Sequence, residues 1–277
     1  MRWISGEGYV GIEGPFRVLS SAPWHGGLRN VPRIVNVQVP FDFDHDVGTF
    51  FRKFEREHHL PGSVGFLTAV DVRTAARRKC RSHWLLVTAG VGNPSRVGTI
   101  NILLAVAGDP SPAAQVELVK MVTEAKVAAL YDLDIRAGPV PATGTSTDGV
   151  AIAATGNGPK FDYAGPATSI GRAIGRDVRQ AVRDALRAYH GWDETRPIPD
   201  RLRERGWSEK DVQRLGPVPA RLRREWESAF GLDEAHRAGR LPLVPMRGKP
   251  YGVYSRALWE RTLRAKRRTS RSKGRSS

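Results

Sequence analysis

The segment Thr99–Ala107 most restricts what this chain can become. Apart from Thr99 and Asn101 it is wholly apolar, rich in Ile, Leu and Val. A strand with one wet face alternates apolar and polar residues. This run does not, so it predicts a central strand buried on both faces, with structure packed above and below it. A helix start follows at once. Ser111 is placed to cap, Pro112 suits the first helical position, and a run rich in Ala, Val, Leu, Glu and Lys continues to about Tyr131. Val116, Val119, Val122, Ala125 and Ala129 form its expected inward stripe.

The flanking sequence supplies the rest of such a fold. Tyr9–Ser20, Arg33–Val39, Val64–Val72, Ser82–Gly90 and Gly149–Ala154 read as strands. Val47–His59 carries Val47, Phe50, Phe51 and Phe54 at helical spacing, and Pro61-Gly62 stops it. A further helix is expected from about Ala167 to Tyr189. Ala173, Ile174, Val178, Ala181, Val182, Ala185, Leu186 and Tyr189 fit its buried face, and Arg172, Arg176, Arg179, Arg183 and Arg187 its wet one. The order predicts an α/β (or α+β) domain over residues 1–192, a mixed β-sheet with packed helices. From Thr195 the texture changes. Prolines at 197, 199, 217, 219, 242, 245 and 250 punctuate short helical pieces, which predicts a Pro/Arg-rich helical C-terminal extension over 193–265. Residues 266–277 are Arg, Lys, Ser and Gly with little else, and are expected to be disordered.

Composition excludes several classes. No stretch approaches the roughly 20 apolar residues of a membrane helix, and the N-terminus lacks a signal peptide's apolar run, so a cytoplasmic protein is expected. The single cysteine, Cys80, excludes an internal disulfide and a cysteine-based zinc site. It stands in Arg77-Arg78-Lys79-Cys80-Arg81, where the cations would favour a thiolate, but no base is adjacent and an incidental thiol in a solvated basic loop is the simpler reading. The net charge of +16 is uneven. Residues 193–277 hold 22 of the 44 Lys and Arg but 11 of the 28 Asp and Glu, leaving +11 there and +5 on residues 1–192. The basicity therefore belongs mostly to the extension. Weak nonspecific nucleic-acid contact is expected there and nowhere else, because no nucleic-acid motif is present.

Four segments carry possible chemistry. Ser20-Ser21-Ala22-Pro23-Trp24-His25-Gly26-Gly27, followed by Asn36, joins two hydroxyls and an imidazole to glycines whose N–H groups can approach a ligand. Thr88-Ala89-Gly90-Val91-Gly92-Asn93 ends a buried strand, where α/β proteins place ligands, and Asn93 suits an amide. Thr123-Glu124-Ala125-Lys126 offers Glu124 as a base or as a surface partner of Lys120. Ala142-Thr143-Gly144-Thr145-Ser146-Thr147-Asp148 is dense in hydroxyls and ends in a carboxylate, fit for a nucleophile or an oxyanion donor set. Asp42, Asp44, His45 and Asp46 read as a charged loop before a helix, so no metal ligand set is expected.

These segments, in this order, together with Thr99-Ile100-Asn101-Ile102-Leu103-Leu104 and a late Tyr163-Ala164-Gly165-Pro166-Ala167-Thr168-Ser169-Ile170-Gly171, resemble the adenosylcobinamide amidohydrolase family. The resemblance covers about residues 15–190 and not the basic C-terminal third. It implies hydrolysis of the amide joining the corrin propionate arm to 1-amino-2-propanol, giving adenosylcobyric acid for cobinamide salvage. The cobalt arrives with the substrate and no other cofactor is implied. A corrin is an apolar disc fringed with carboxamides, which Ser20, Ser21, Gly26, Gly27, Asn36, Asn93, Thr143, Gly144 and Thr147 suit as neutral hydrogen-bonding partners. For the chemistry, Asp148 or Glu124 is expected to activate water or the Thr145 hydroxyl, with His25 protonating the departing amine or serving equally as a pocket wall or a ligand to cobalt. A corrinoid-binding protein without catalysis and a threonine-nucleophile hydrolase of another substrate are the competing readings.

Overall fold

The computed structural model describes residues 1–92, 97–137 and 140–192, together with Ser208; all but Ser208 fall in one compact unit, Met1–Asp193. The expected extension over 193–265 and the tail over 266–277 lie outside the described residues. In chain order the elements are β1 (Arg2–Gly6), β2 (Tyr9–Ser20), β3 (Gly27–Gln38), α1 (Val47–Glu57), β4 (Ser63–Thr68), β5 (Ala76–Lys79), β6 (His83–Val91), β7 (Gly98–Val106), β8 (Asp109–Pro110), α2 (Pro112–Asp132), β9 (Arg136–Ala137), β10 (Val140–Pro141), β11 (Gly149–Ala154), β12 (Lys160–Phe161) and α3 (Ser169–His190). A 3₁₀ turn, Val72–Thr74, precedes β5.

The principal sheet has eight strands in the order β4-β3-β2-β11-β7-β6-β5, with β1 also on β2. The β3–β4 and β11–β7 pairs are parallel and the others antiparallel. The sheet is therefore mixed, as expected. The apolar run becomes β7, every residue of which from Thr99 onward is buried. β2 serves two neighbours on one edge: its first half pairs with β1 and its last residues with β11. The register shift between Glu13 and Phe16, at Gly14-Pro15, marks the change of partner, because proline gives no N–H to a ladder.

One face of the sheet packs on α2 and α3 through residues such as Leu104, Ile152, Leu118, Val122, Val178 and Val182. Val35 and Val37 on β3 pack on Phe51 and Phe54 of α1. The other face closes on itself around Ile12, Ile34, Phe66, Leu86 and Leu103. Asn101 on β7 donates to Leu67 O on β4 at 2.9 Å although three strands separate them in the order, so the sheet is strongly curled.

Ser111 caps α2, its hydroxyl accepting from Ala114 N at 3.2 Å, and Pro112 opens the helix. Ser111→Ala is expected to cost about 1 kcal/mol in a urea titration, with the slope unchanged. Three expectations for the helical faces need correcting. Arg183, expected on the wet face of α3, has a side chain only 14% exposed and turned to Asp132 of α2. Val116 is 61% exposed, because the buried phase of α2 runs through Ala114, Leu118, Val122, Ala125 and Ala129 instead. Tyr189 is 41% exposed at the end of α3. The basic stretch before Cys80 is an edge strand, β5, and its Arg78 pairs with Asp184 of α3. No described helix is long and apolar enough to cross a membrane.

Candidate active site

The pairings bring three of the four chemistry-bearing segments to one end of the sheet. Ser20 lies opposite Ala151 and Gly27, Gly149 beside Asn101, and Val91 opposite Gly98. The end of β2, the start of β3, the end of β6 and the starts of β7 and β11 therefore share a rim. An open groove of about 400 Å³ lies there, lined by Val70, Gly90–Gly92, Val97–Thr99, Ser146, Thr147, Tyr189, His190 and the exposed Phe41.

Asp148 organises the rim. Its Oδ1 accepts from Ile100 N at 3.0 Å and from the Thr145 hydroxyl. Its Oδ2 accepts from Thr145 N at 3.1 Å and from Lys126 Nζ at 2.5 Å. Each carboxylate oxygen thus receives two donors, one of the four being cationic. The Thr145 hydroxyl has one proton and two acceptors in reach, Asp148 Oδ1 and Gly98 O at 2.8 Å. The charged carboxylate is the stronger acceptor. Thr147 Oγ1 adds contacts to Gly98 O at 2.9 Å and Thr99 Oγ1 at 2.6 Å, so the 145–148 loop is fastened to the first residues of β7.

Lys126 is 7% exposed and reaches this carboxylate from α2. Burying an ammonium is costly unless an anion answers it, and Asp148 does. The sequence holds a signal that its carboxylates obscured: Lys126 falls four residues after Val122 and three before Ala129, inside the helix's buried phase. Glu124, two residues away, points elsewhere. It is exposed and lines a shallow surface with Thr123, Tyr131 and Arg179. The structure does not pair Glu124 with Asp148; the partner is a cation.

Gly144 shows how tight the arrangement is. A Cβ there would lie 2.4 Å from Asp148 Oδ2 and 2.8 Å from Lys126 Nζ. Gly144→Ala is expected to push the pair apart and lower turnover at least tenfold while circular dichroism stays unchanged.

The other expected site residues are placed as follows. Ser21 is exposed, its N–H donating to Val150 O at 3.0 Å and its Oγ accepting from Val150 N at 3.1 Å, so it clamps the start of β11. Ser20 Oγ is buried without a hydrogen-bond partner among the described residues. His25 stacks on Trp24 with centroids 4.0 Å apart, and its Nδ1 lies 3.0 Å from Ser63 O, on the α1 side of the fold. Gly26 is needed where the loop folds back, because a Cβ there would lie 2.3 Å from Ala22 O, and Gly27 takes a φ of +85°. Asn36 is fully buried: its Nδ2 donates to Thr88 Oγ1 at 2.7 Å and its Oδ1 accepts from Asn101 Nδ2 at 2.9 Å. Thr143 is exposed, and Asn93 lies outside the described residues. Asp46 caps α1 by accepting from Thr49 N at 2.7 Å, while Asp42, Asp44 and His45 are exposed beside it. The late motif from Tyr163 sits at the opposite end of the sheet, where Thr168 caps α3.

A family model described as adenosylcobinamide amidohydrolase matches residues 9–194. The chain belongs to the adenosylcobinamide amidohydrolase family. Members are amidohydrolases, acting on a carbon–nitrogen amide bond. A Methanosarcina mazei adenosylcobinamide amidohydrolase is 31% identical over 190 residues, covering 63% of this chain and 92% of its own. A Halobacterium salinarum protein of the same name is 27% identical over 206 residues, covering 65% of this chain and 84% of its own. An uncharacterised Methanocaldococcus jannaschii protein is 36% identical over 93 residues, 32% of this chain and 36% of its own. For an amidohydrolase of this family, the rim around Asp148 is where hydroxyls, a buried ion pair and a groove meet.

Proposed function

We propose that the chain hydrolyses adenosylcobinamide at the amide of its aminopropanol arm, giving adenosylcobyric acid and 1-amino-2-propanol. The observation that carries this reading to the residues is the Thr145–Asp148–Lys126 cluster beside an open groove at the sheet end. Val70, Val91, Val97, Phe41 and Tyr189 offer apolar wall, and Thr99, Ser146 and Thr147 offer hydroxyls. A groove of about 400 Å³ takes the arm and a corrin edge, leaving the disc over the exposed Phe41.

In this reading Thr145 Oγ attacks the amide carbonyl and its proton passes to Asp148 Oδ1. Lys126 and Ile100 N hold that carboxylate in place. Asp148 passes that proton to the aminopropanol nitrogen as the C–N bond breaks and the amine leaves, and water, deprotonated in turn by Asp148, hydrolyses the Thr145 ester to the carboxylic acid and restores the hydroxyl. No cofactor is required, since cobalt enters on the substrate. His25 is replaced in the proton-transfer role by the groups around Asp148, because its contacts run to Ser63 and Trp24. The test is free aminopropanol released from adenosylcobinamide by wild type, Thr145→Ser and Thr145→Ala. Release by the first two and loss in the third supports a hydroxyl nucleophile, and an acid-quenched acyl-enzyme at residue 145 would complete the case. Full activity in Thr145→Ala assigns the attack to water.

The catalytic unit in this reading ends near residue 192, and the basic extension acts separately. A chain truncated before Thr195 is expected to retain hydrolysis and to lose any salt-sensitive binding to nucleic acid, measured as retention on an oligonucleotide column.

A further inference from the structure

At the sheet end remote from the groove, β5 turns into β6 through Cys80-Arg81-Ser82-His83. β6 spans nine residues, so this turn lies roughly 26 Å from the rim. The Cys80 N–H donates to His83 O at 2.8 Å, which closes the turn and sets the thiol beside the imidazole. Asp177 arrives from α3. Its Oδ2 lies 3.5 Å from Cys80 Sγ and 3.3 Å from His83 Nε2, and the three candidate ligand atoms all fall within 4.8 Å of one another.

The His83 side chain is 1% exposed, and its Nε2 is buried without a hydrogen-bond partner among the described residues. Its Nδ1 is 3.1 Å from Ser82 Oγ. With Ser82 Oγ accepting from Nδ1–H, the Nε2 lone pair faces Cys80 and Asp177, as a ligand nitrogen must. Burial first, and then Asp177, raise the Cys80 thiol.

We propose that Cys80, His83 and Asp177 bind one divalent transition-metal ion of the zinc class, tying the β5–β6 hairpin to α3. Thiolate and imidazole ligands together favour zinc-like ions over magnesium or calcium. Bonds of about 2.3 Å to sulfur and about 2.0 Å to nitrogen and oxygen give tetrahedral ligand–ligand edges of about 3.3–3.6 Å. Both edges to Asp177 already have these lengths, and rotation of the Cys80 side chain closes the third. The thiol proton leaves to solvent as the metal binds. Arg176 Nε holds Asp177 Oδ1 at 2.9 Å, leaving Oδ2 to the ion, while the longer 3.5 Å contact from Arg176 Nη2 to Oδ2 gives way. Cys80 is half-exposed, so a fourth position is open to water. A single cysteine excludes a multi-cysteine centre but not this mixed one.

The test is Co²⁺ titration of the untagged, corrinoid-free full chain, followed by absorption. The expected result is a thiolate-to-cobalt charge-transfer band saturating at one ion per chain and displaced by Zn²⁺. Zn²⁺ also raises the melting temperature. Cys80→Ser, which changes a half-exposed atom and keeps the wild-type circular dichroism, abolishes the band and the thermal shift. Asp177→Asn and His83→Asn weaken Co²⁺ binding at least tenfold. Absence of the band from folded wild type at saturating Co²⁺ overturns the proposal, as does a band insensitive to both Asp177→Asn and His83→Asn.

Discussion

Asp148→Asn is expected to lower turnover by a factor on the order of 100 or more and to destabilise the fold by about 3–5 kcal/mol. Both effects come from the same atoms. Asp148 Oδ2 faces two donors, Thr145 N and Lys126 Nζ, and an amide NH₂ in its place would face them with a third. With the amide turned the other way, the NH₂ would face Ile100 N and the Thr145 hydroxyl instead. Either way Lys126 keeps a charge, 7% exposed, with no anion to answer it. Catalysis and stability can be separated. Thr145→Ala removes one neutral donor of four and should cost turnover as severely, but stability by about 1 kcal/mol. The double variant Lys126→Met with Asp148→Leu removes both charges and should recover most of the lost stability with none of the activity. Urea denaturation and steady-state turnover on the three variants measure both axes. Stability loss in Thr145→Ala equal to that in Asp148→Asn would mean the loop is simply unfastened, and the catalytic reading of Thr145 would fail.

Asn101→Leu is expected to destabilise by about 2–5 kcal/mol with little change in KM where the protein remains folded. Asn101 donates to Asn36 Oδ1 and to Leu67 O, both at 2.9 Å, and leucine leaves these buried acceptors empty. The network also links β7 to β4 across the curled face, so its loss loosens the closure of the sheet. Asn36, 0% exposed, should behave in the same way: Asn36→Ala lowers stability and leaves substrate affinity near normal. A raised KM with unchanged stability would instead return Asn36 to the substrate. Chemical denaturation paired with KM measurements decides between the two.

The elements were legible where one physical signal dominates. β2 and β11 fall on the expected residues, and β7 within one, because their apolar runs have no competing period. α2 begins at the expected cap, since Ser111-Pro112 admits little else. β1 and β5 were not legible. β1 has few apolar residues, and β5 reads as solvated because edge strands carry charge on purpose. Within the candidate site, the hydroxyl-rich loop ending at Asp148 and the ends of β2 and β6 were visible as composition. Their meeting depends on strand order, which composition does not encode. Glu124 drew attention because a carboxylate on a helix suggests a base. The residue the fold delivers is Lys126, whose position in the buried phase of α2 is the better signal. The cluster of Cys80, His83 and Asp177 joins a hairpin turn to a distant helix, and only tertiary structure brings those atoms together.

The measurement that bears most directly on the central claim is mass analysis of the corrinoid after incubation of the purified full chain with adenosylcobinamide. Conversion to adenosylcobyric acid, abolished in Asp148→Asn, is the predicted result. An intact corrinoid recovered bound to folded wild-type protein would contradict hydrolysis and leave a corrinoid-binding protein; an intact corrinoid with no binding would contradict the substrate itself.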